Sequence, residues 1–201
     1  MAGAKPSDAR GGDAAKPDGG PLLTEFAARA EAVGTQVGHV GDGAAAASWI
    51  AAIARDVGAE RAMTAAELLA AAPALATGLE ASGIETPVPS GPDEARDTPL
   101  GISLGRLAIA ETGSMLLAEP TLADRSIGLL CLAQIIVAPT DALVASLDDA
   151  APVLRNLALH AHGGMATLVT GPSRTADIER VLTVGVQGPG RVFVLFVDRL
   201  D

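Results

Sequence analysis

The chain has 201 residues, with 24 acidic side chains against 14 basic ones and a formal net charge of −10. That balance excludes a nucleic-acid footprint, which needs a basic face and usually aromatic platforms; here the aromatics are only Phe26, Trp49, Phe193 and Phe196. Both lysines, Lys5 and Lys16, lie near the N-terminus, so the rest of the chain offers no Schiff-base lysine and no Gly-Lys-Ser/Thr phosphate loop.

Residues 1–20 hold lysine, proline, aspartate and glycine and almost no apolar side chain beyond alanine. Such a stretch cannot offset its ordering entropy, so a disordered tail is expected there, followed by a single domain over 21–201. It lacks the apolar centre of a secretory signal. The longest apolar run, Ile127 to Pro139, is interrupted by Gln134 and is too short for a bilayer. A cytoplasmic location is expected, with no membrane partner.

From Leu22 the pattern becomes periodic. Leu22, Phe26, Ala30 and Val33 share one helical face that ends at Gly34. A short strand, Thr35 to Val40, follows. Asp42 then caps a long helix striped by Ala46, Trp49, Ile50, Ile53 and Val57, with Trp49 as a core anchor. Further helices are expected over Ala65 to Ala72 and Ala74 to Ser82. The four prolines between Pro87 and Pro99 mark a surface loop or flap.

In the second half, Leu107 to Ala110 and Ser114 to Ala118 read as short strands around Glu111-Thr112-Gly113. Ala133 to Ala138 is continuously apolar, as a buried parallel strand requires. Asp141 to Asn156 reads as an amphipathic helix with Thr140 as its cap. Met165 to Thr170 is a strand, Thr175 to Val184 a helix, and Arg191 to Asp198 a final strand. This alternation predicts an α/β fold, three layers deep, with a mostly parallel sheet between helices.

The densest chemistry lies in Gly171-Pro-Ser-Arg-Thr-Ala-Asp-Ile-Glu179. A strand, a Gly-Pro turn and a helix start would form an anion pocket from unpaired N–H groups and dipole charge. Ser173 and Thr175 are capping residue types, and Arg174 supplies a planar fork for carboxylate or phosphate. Asp177 and Glu179 would fall in that first turn, with Asp177 orienting Arg174. A capped helix whose arginine pairs with a neighbouring carboxylate accounts for the same residues.

Glu111 directly follows an apolar strand, where an unpartnered carboxylate is costly. It is a general base, an acyl-accepting nucleophile, a ligand contact, or a structural partner of Arg174 or Arg125. Thr112, Gly113 and Ser114 share its loop, and Gly113 lets backbone approach a ligand or simply turns the chain. Gln187, in Gly185-Val-Gln-Gly-Pro189, adds a neutral donor and acceptor. His160 and His162 lack a third ligand, so no metal site is expected, and His39 reads as an exposed strand end. Cys131, the sole cysteine, is expected to be a buried thiol; alone it holds no disulfide and no iron–sulfur cluster. No cofactor is expected.

Four stretches together resemble the LUD-domain family, and within it the lactate utilization protein C type. They are Leu107-Ala-Ile-Ala-Glu-Thr-Gly-Ser-Met-Leu-Leu117, Ala133-Gln-Ile-Ile-Val137, the Gly171–Glu179 motif and Gly185-Val-Gln-Gly-Pro189. The resemblance implies a fold like the ribose-phosphate isomerase, glucosamine-phosphate deaminase and coenzyme A transferase group. It also implies a role in oxidising L-lactate to pyruvate beside partner proteins that carry iron–sulfur clusters. The ligand would be a small carboxylate or phosphate compound; the sequence itself leaves a homo-oligomer open. Coenzyme A transferase-like chemistry on Glu111 and a non-catalytic assembly role are the alternatives. Where the family commonly has histidine, this chain has Gln187, which cannot titrate near neutral pH.

Overall fold

A computed structural model describes residues 20–159, 165–176, 182–184 and 188–200. Nearly all of the expected tail, together with His160, His162, Asp177, Glu179 and Gln187, lies outside them.

The first half follows the hydrophobic periodicity closely. Helix α1 (Gly20–Ala32) buries Leu23, Phe26, Ala27 and Ala30 and is followed by strand β1 (Gln36–Asp42). Asp42 caps α2 (Gly43–Asp56), its carboxylate accepting the Ala45 N–H at 2.9 Å. After β2 (Ala62–Thr64) come α3 (Ala66–Ala71) and α4 (Pro73–Ala81), the latter with proline at its start, where its missing N–H costs nothing. The proline-rich segment is packed more tightly than a free flap: it contains the short α5 (Pro92–Ala95), with Ala95 fully buried.

Strand β3 (Leu100–Ile109) is far longer than the Leu107–Ala110 segment expected. Its first half looked unlike a strand because Gly101 and Ser103 interrupt the apolar pattern. Packing explains the glycine: a Cβ on Gly101 would lie 2.8 Å from Ile127 Cγ2. Strand β4 (Ser114–Ala118) pairs antiparallel with the end of β3, across a register shift between Gly105 and Leu107. Helix α6 (Leu122–Leu130), unforeseen, starts from a capping box between Thr121 and Asp124.

Strand β5 (Ala133–Pro139) is buried as expected. The helix expected from Asp141 is corrected. A 3-10 turn (Thr140–Ala142) and the two-residue β6 (Leu143–Val144) come first, and α7 covers Leu147–Leu159. Thr140 does not cap it, because its hydroxyl donates to Asp198 at 2.8 Å. Ser146 takes that place, its hydroxyl and the Asp149 side chain exchanging bonds with each other's backbone. Strand β7 (Ala166–Val169) leads to the nine-residue motif. The helix expected over Thr175 to Val184 is also corrected: β8 (Arg174–Ala176) and β9 (Leu182–Val184) form an antiparallel pair. Ladder bonds fix the termini of this segment as strand despite its capping-type residues. The chain returns through β10 (Arg191–Arg199).

The sheet runs β1-β10-β5-β3-β4-β7, with β2 and β6 also paired to β3. β1, β10, β5, β3 and β2 are mutually parallel, while β4 and β7 pair antiparallel. Of three hydrophobic clusters, the two larger lie on its opposite faces, and a smaller one joins Leu107, Ile109 and Leu116 to Ala150 of α7. Of the larger two, one joins Ile50, Leu68, Leu75 and Leu79 from α2, α3 and α4 to Ile102, Ile135, Phe193 and Leu195. The other joins Leu23 and Phe26 of α1 to Met115, Ile136, Val194 and Phe196. Phe26 and Phe196 meet edge-to-face at 5.1 Å, a contact of about 0.5–1.5 kcal/mol beyond area burial. Trp49 anchors the first core, its ring 6.3 Å from that of Phe193 and seated over Gly38. The class is α/β, three-layered, with a mostly parallel sheet.

Candidate functional site

The C-terminal end of α1 is where the motif loops gather. Gly113 sits at φ 64 so close to this helix that a Cβ would lie 2.5 Å from the Ala30 nitrogen. Gly171, at φ 86, lies less tightly on Val33, where a Cβ would meet Cγ2 at 3.0 Å and the carbonyl oxygen at 3.1 Å. Both dihedrals favour glycine, and at Gly113 the backbone approach also requires it. Ser114 and Thr170 lock the two loops together through their hydroxyls at 2.6 Å, at the end of the β4–β7 ladder. The third loop joins when the Ser173 N–H donates to the Pro189 carbonyl at 2.9 Å, with Gly188 against the Ser173 side chain. Three segments separated by up to about eighty positions in sequence thus meet within one patch.

Within that patch the charged groups are arranged differently from the expectation. Arg174 is exposed and donates from Nη2 to the Val33 carbonyl, one of the orphan acceptors at the end of α1. No carboxylate pairs with it among the described residues, and Arg174–Ala176 is strand where a helix start was expected. Glu111 is also exposed. Its Oε2 accepts the Leu147 N–H at 3.1 Å and caps α7, so neither Arg174 nor Arg125 is its partner. Arg125 instead donates to the Thr121 carbonyl and to the Met165 sulfur.

Thr112 is the anomaly. Its Oγ1 is buried and has no hydrogen-bond partner among the described residues. A hydroxyl in that state costs about 1–3 kcal/mol, and native structures rarely carry one unexplained. Thr175 belongs to β8, and Asp177 and Gln187 lie outside the described residues.

Cys131 is buried, its thiol turned to the Ala95 carbonyl and pushed up to about 12 by desolvation. Among the described residues no group of three or more metal-ligating side chains gathers. No helix of the described residues is long and apolar enough to cross a membrane.

Sequence reasoning missed a second polar cluster. Between the middle of β1 and the carboxyl end of β10, His39 Nε2 lies 2.7 Å from Asp198 Oδ1, and Thr140 donates to the same oxygen. These two bonds, His39 first, hold the Asp198 carboxyl below the usual carboxylate range. The His39 side chain is 16% exposed rather than a free strand end. Alternation on paired strands could have placed the two residues on one face, but their separation of 159 positions hides the pairing.

A family model described as the LUD domain matches residues 23–197. Lactate utilization protein C 1 of Bacillus mycoides is 33% identical over 106 residues, covering 52% of this chain and 45% of that protein. The corresponding figures for lactate utilization protein C of Oceanobacillus iheyensis are 35% over 108 residues, 52% and 46%. For lactate utilization protein C of Bacillus subtilis they are 32% over 113 residues, 53% and 45%. The chain spans about half the length of these curated relatives. A crystal structure of a DUF162 family protein from Deinococcus radiodurans has the same fold, with a TM-score of 0.57 at 22% identity over 88% of this chain and 96% of that one.

Proposed function

The chain belongs to the LUD domain family, and from that premise we propose that it serves bacterial use of L-lactate, holding a small carboxylate- or phosphate-bearing ligand where its three motif loops meet. The buried, unpartnered Thr112 hydroxyl carries this reading. That atom is closed to solvent as it stands, so a small opening of the Glu111–Ser114 loop would let a ligand oxygen supply the partner it lacks among the described residues. Arg174 supports the same placement, since one N–H on Val33 leaves further guanidinium donors for an anion, and no carboxylate among the described residues neutralises it. Ser114 and Ser173 add hydroxyls and Gly113 and Gly171 bring backbone close; Thr175, Asp177 and Gln187 are proposed as further ligand contacts on their residue types alone. Arg174–Ala176 is strand, and the helix end it bonds is the negative C-terminus of α1, so the positive charge for an anion rests on the Arg174 guanidinium.

Glu111 works here by capping α7 and fixing its loop; its bond to Leu147 favours that role over attack on an acyl donor. Electron transfer in the oxidation of L-lactate to pyruvate falls to iron–sulfur partner proteins, because one buried thiol cannot ligate a cluster.

A thermal melt tests the proposal. Lactate, pyruvate or inorganic phosphate at about one hundred times its Kd adds about 2.7 kcal/mol, a rise of about 5–10 °C for a domain of this size. Arg174→Ala and Thr112→Val each abolish the rise. No rise with any of the three, or an undiminished rise in Arg174→Ala, overturns it.

A further inference from the structure

Three methionines lie among the described residues, and they differ sharply in access. Met63 and Met115 are each 1% exposed and belong to the two larger hydrophobic clusters. Met165, the residue before β7, is 44% exposed. A solvent-borne oxidant therefore reaches one of these three thioethers in the folded protein.

That thioether also has a charged partner. Arg125 of α6 donates from Nη1 to the Met165 sulfur at 3.3 Å, and from Nε to the Thr121 carbonyl at 3.2 Å. The Met165 carbonyl in turn accepts the Glu119 N–H at 3.0 Å. The start of α6, the end of β4 and the entry to β7 thus meet at this one residue. No carboxylate pairs with Arg125 among the described residues, and Glu119 and Asp124 take their side-chain bonds from Thr167 and Thr121. The guanidinium is left on a thioether, which is a weak acceptor.

We propose that Met165 is a modification site, at which a peroxide converts the thioether to the sulfoxide and the new oxygen takes over the bond from Arg125. The sulfur attacks one peroxide oxygen, so that an S–O bond forms and the O–O bond breaks. Sulfur gives up two electrons, and the second oxygen leaves with the protons as water. Arg125 engages one sulfur lone pair and leaves the other for the attack. The three rotatable bonds of methionine then turn the S–O group toward the guanidinium. A polar sulfoxide oxygen accepts from a charged donor more strongly than sulfur does. In a core the same change disrupts packing; here the side chain is half in solvent, and the contact between α6 and the β7 entry tightens. Methionine sulfoxide reductases reverse the step, so the site works as a switch rather than a lesion.

The test exposes the full chain to dilute hydrogen peroxide and follows it by peptide mass mapping and thermal melts. One oxygen should appear on Met165, while Met63 and Met115 gain none until urea unfolds the chain. Oxidation should raise the Tm of wild type relative to its effect on Arg125→Ala by about 1–4 °C, the size expected of one solvent-exposed charged bond. Met165→Leu should lose the peroxide-induced shift, and sulfoxide reductase should return wild type to its starting Tm. The proposal is overturned if Met63 or Met115 oxidises as fast as Met165, if oxidation shifts wild type and Arg125→Ala equally, or if Met165→Leu shifts as wild type does.

Discussion

Gly113→Ala measures how closely the loop after β3 is pressed on α1. Two costs apply. The residue sits at φ 64, which an alanine adopts at about 1–2 kcal/mol. The new methyl would also stand 2.5 Å from the Ala30 nitrogen and 2.8 Å from the Arg29 carbonyl carbon. Both obstacles are backbone of a packed helix, so no rotamer change relieves them; overpacking of this kind adds about 1–3 kcal/mol. The sum is about 2–5 kcal/mol, or about 4–20 °C in Tm for a domain of this size. Gly58→Ala is the control, because Gly58 has φ 69 and nothing within 4 Å of its would-be Cβ. It should cost the dihedral strain alone. Urea melts of both variants give the difference directly. Equal losses in the two would refute the close approach, and with it the convergence of loops on α1.

Three further outcomes rest on the burial and bonding of single side chains. Cys131, held at a pKa of about 12, should resist thiol reagents at neutral pH in the folded protein and react fully once urea unfolds it, as a labelling time course would record. Asp42→Ala removes the side-chain acceptor for Ala45 and should cost about 0.5–2 kcal/mol by equilibrium unfolding. Asp198→Asn should remove part of the acid sensitivity. The wild-type carboxyl is lowered on folding, so it favours the fold above the ordinary aspartate pKa and that contribution fades as pH falls through the lowered value. A Tm-against-pH curve below neutrality would show the variant changing less steeply.

Helices α1, α2 and α4 were legible because their apolar stripes repeat at the helical period and Asp42, Gly34 and Pro73 punctuate them. β5 and β10 were legible as unbroken apolar runs. What failed was local punctuation that tertiary structure overrides. Ser173 and Thr175 look like helix caps, yet Arg174–Ala176 pairs with Leu182–Val184 as a ribbon. Thr140 looks like a cap and bonds Asp198 instead. The first half of β3 hid behind glycines that neighbouring side chains require. At the site, the grouping of Gly113, Ser114, Gly171, Ser173 and Arg174 was readable, since each motif follows a strand or precedes one. The partners of Arg174 and Glu111 were not, because Val33 and Leu147 present only backbone groups that no motif announces.

The most direct test is a two-dimensional amide NMR titration of the full chain with phosphate, then with lactate and pyruvate. Saturable shifts concentrated at Thr112, Gly113, Ser114, Ser173, Arg174 and Gly188, and lost in Arg174→Ala, are the predicted result. Saturable shifts confined to the His39–Asp198 end of the sheet, or none for any of the three compounds, would contradict it.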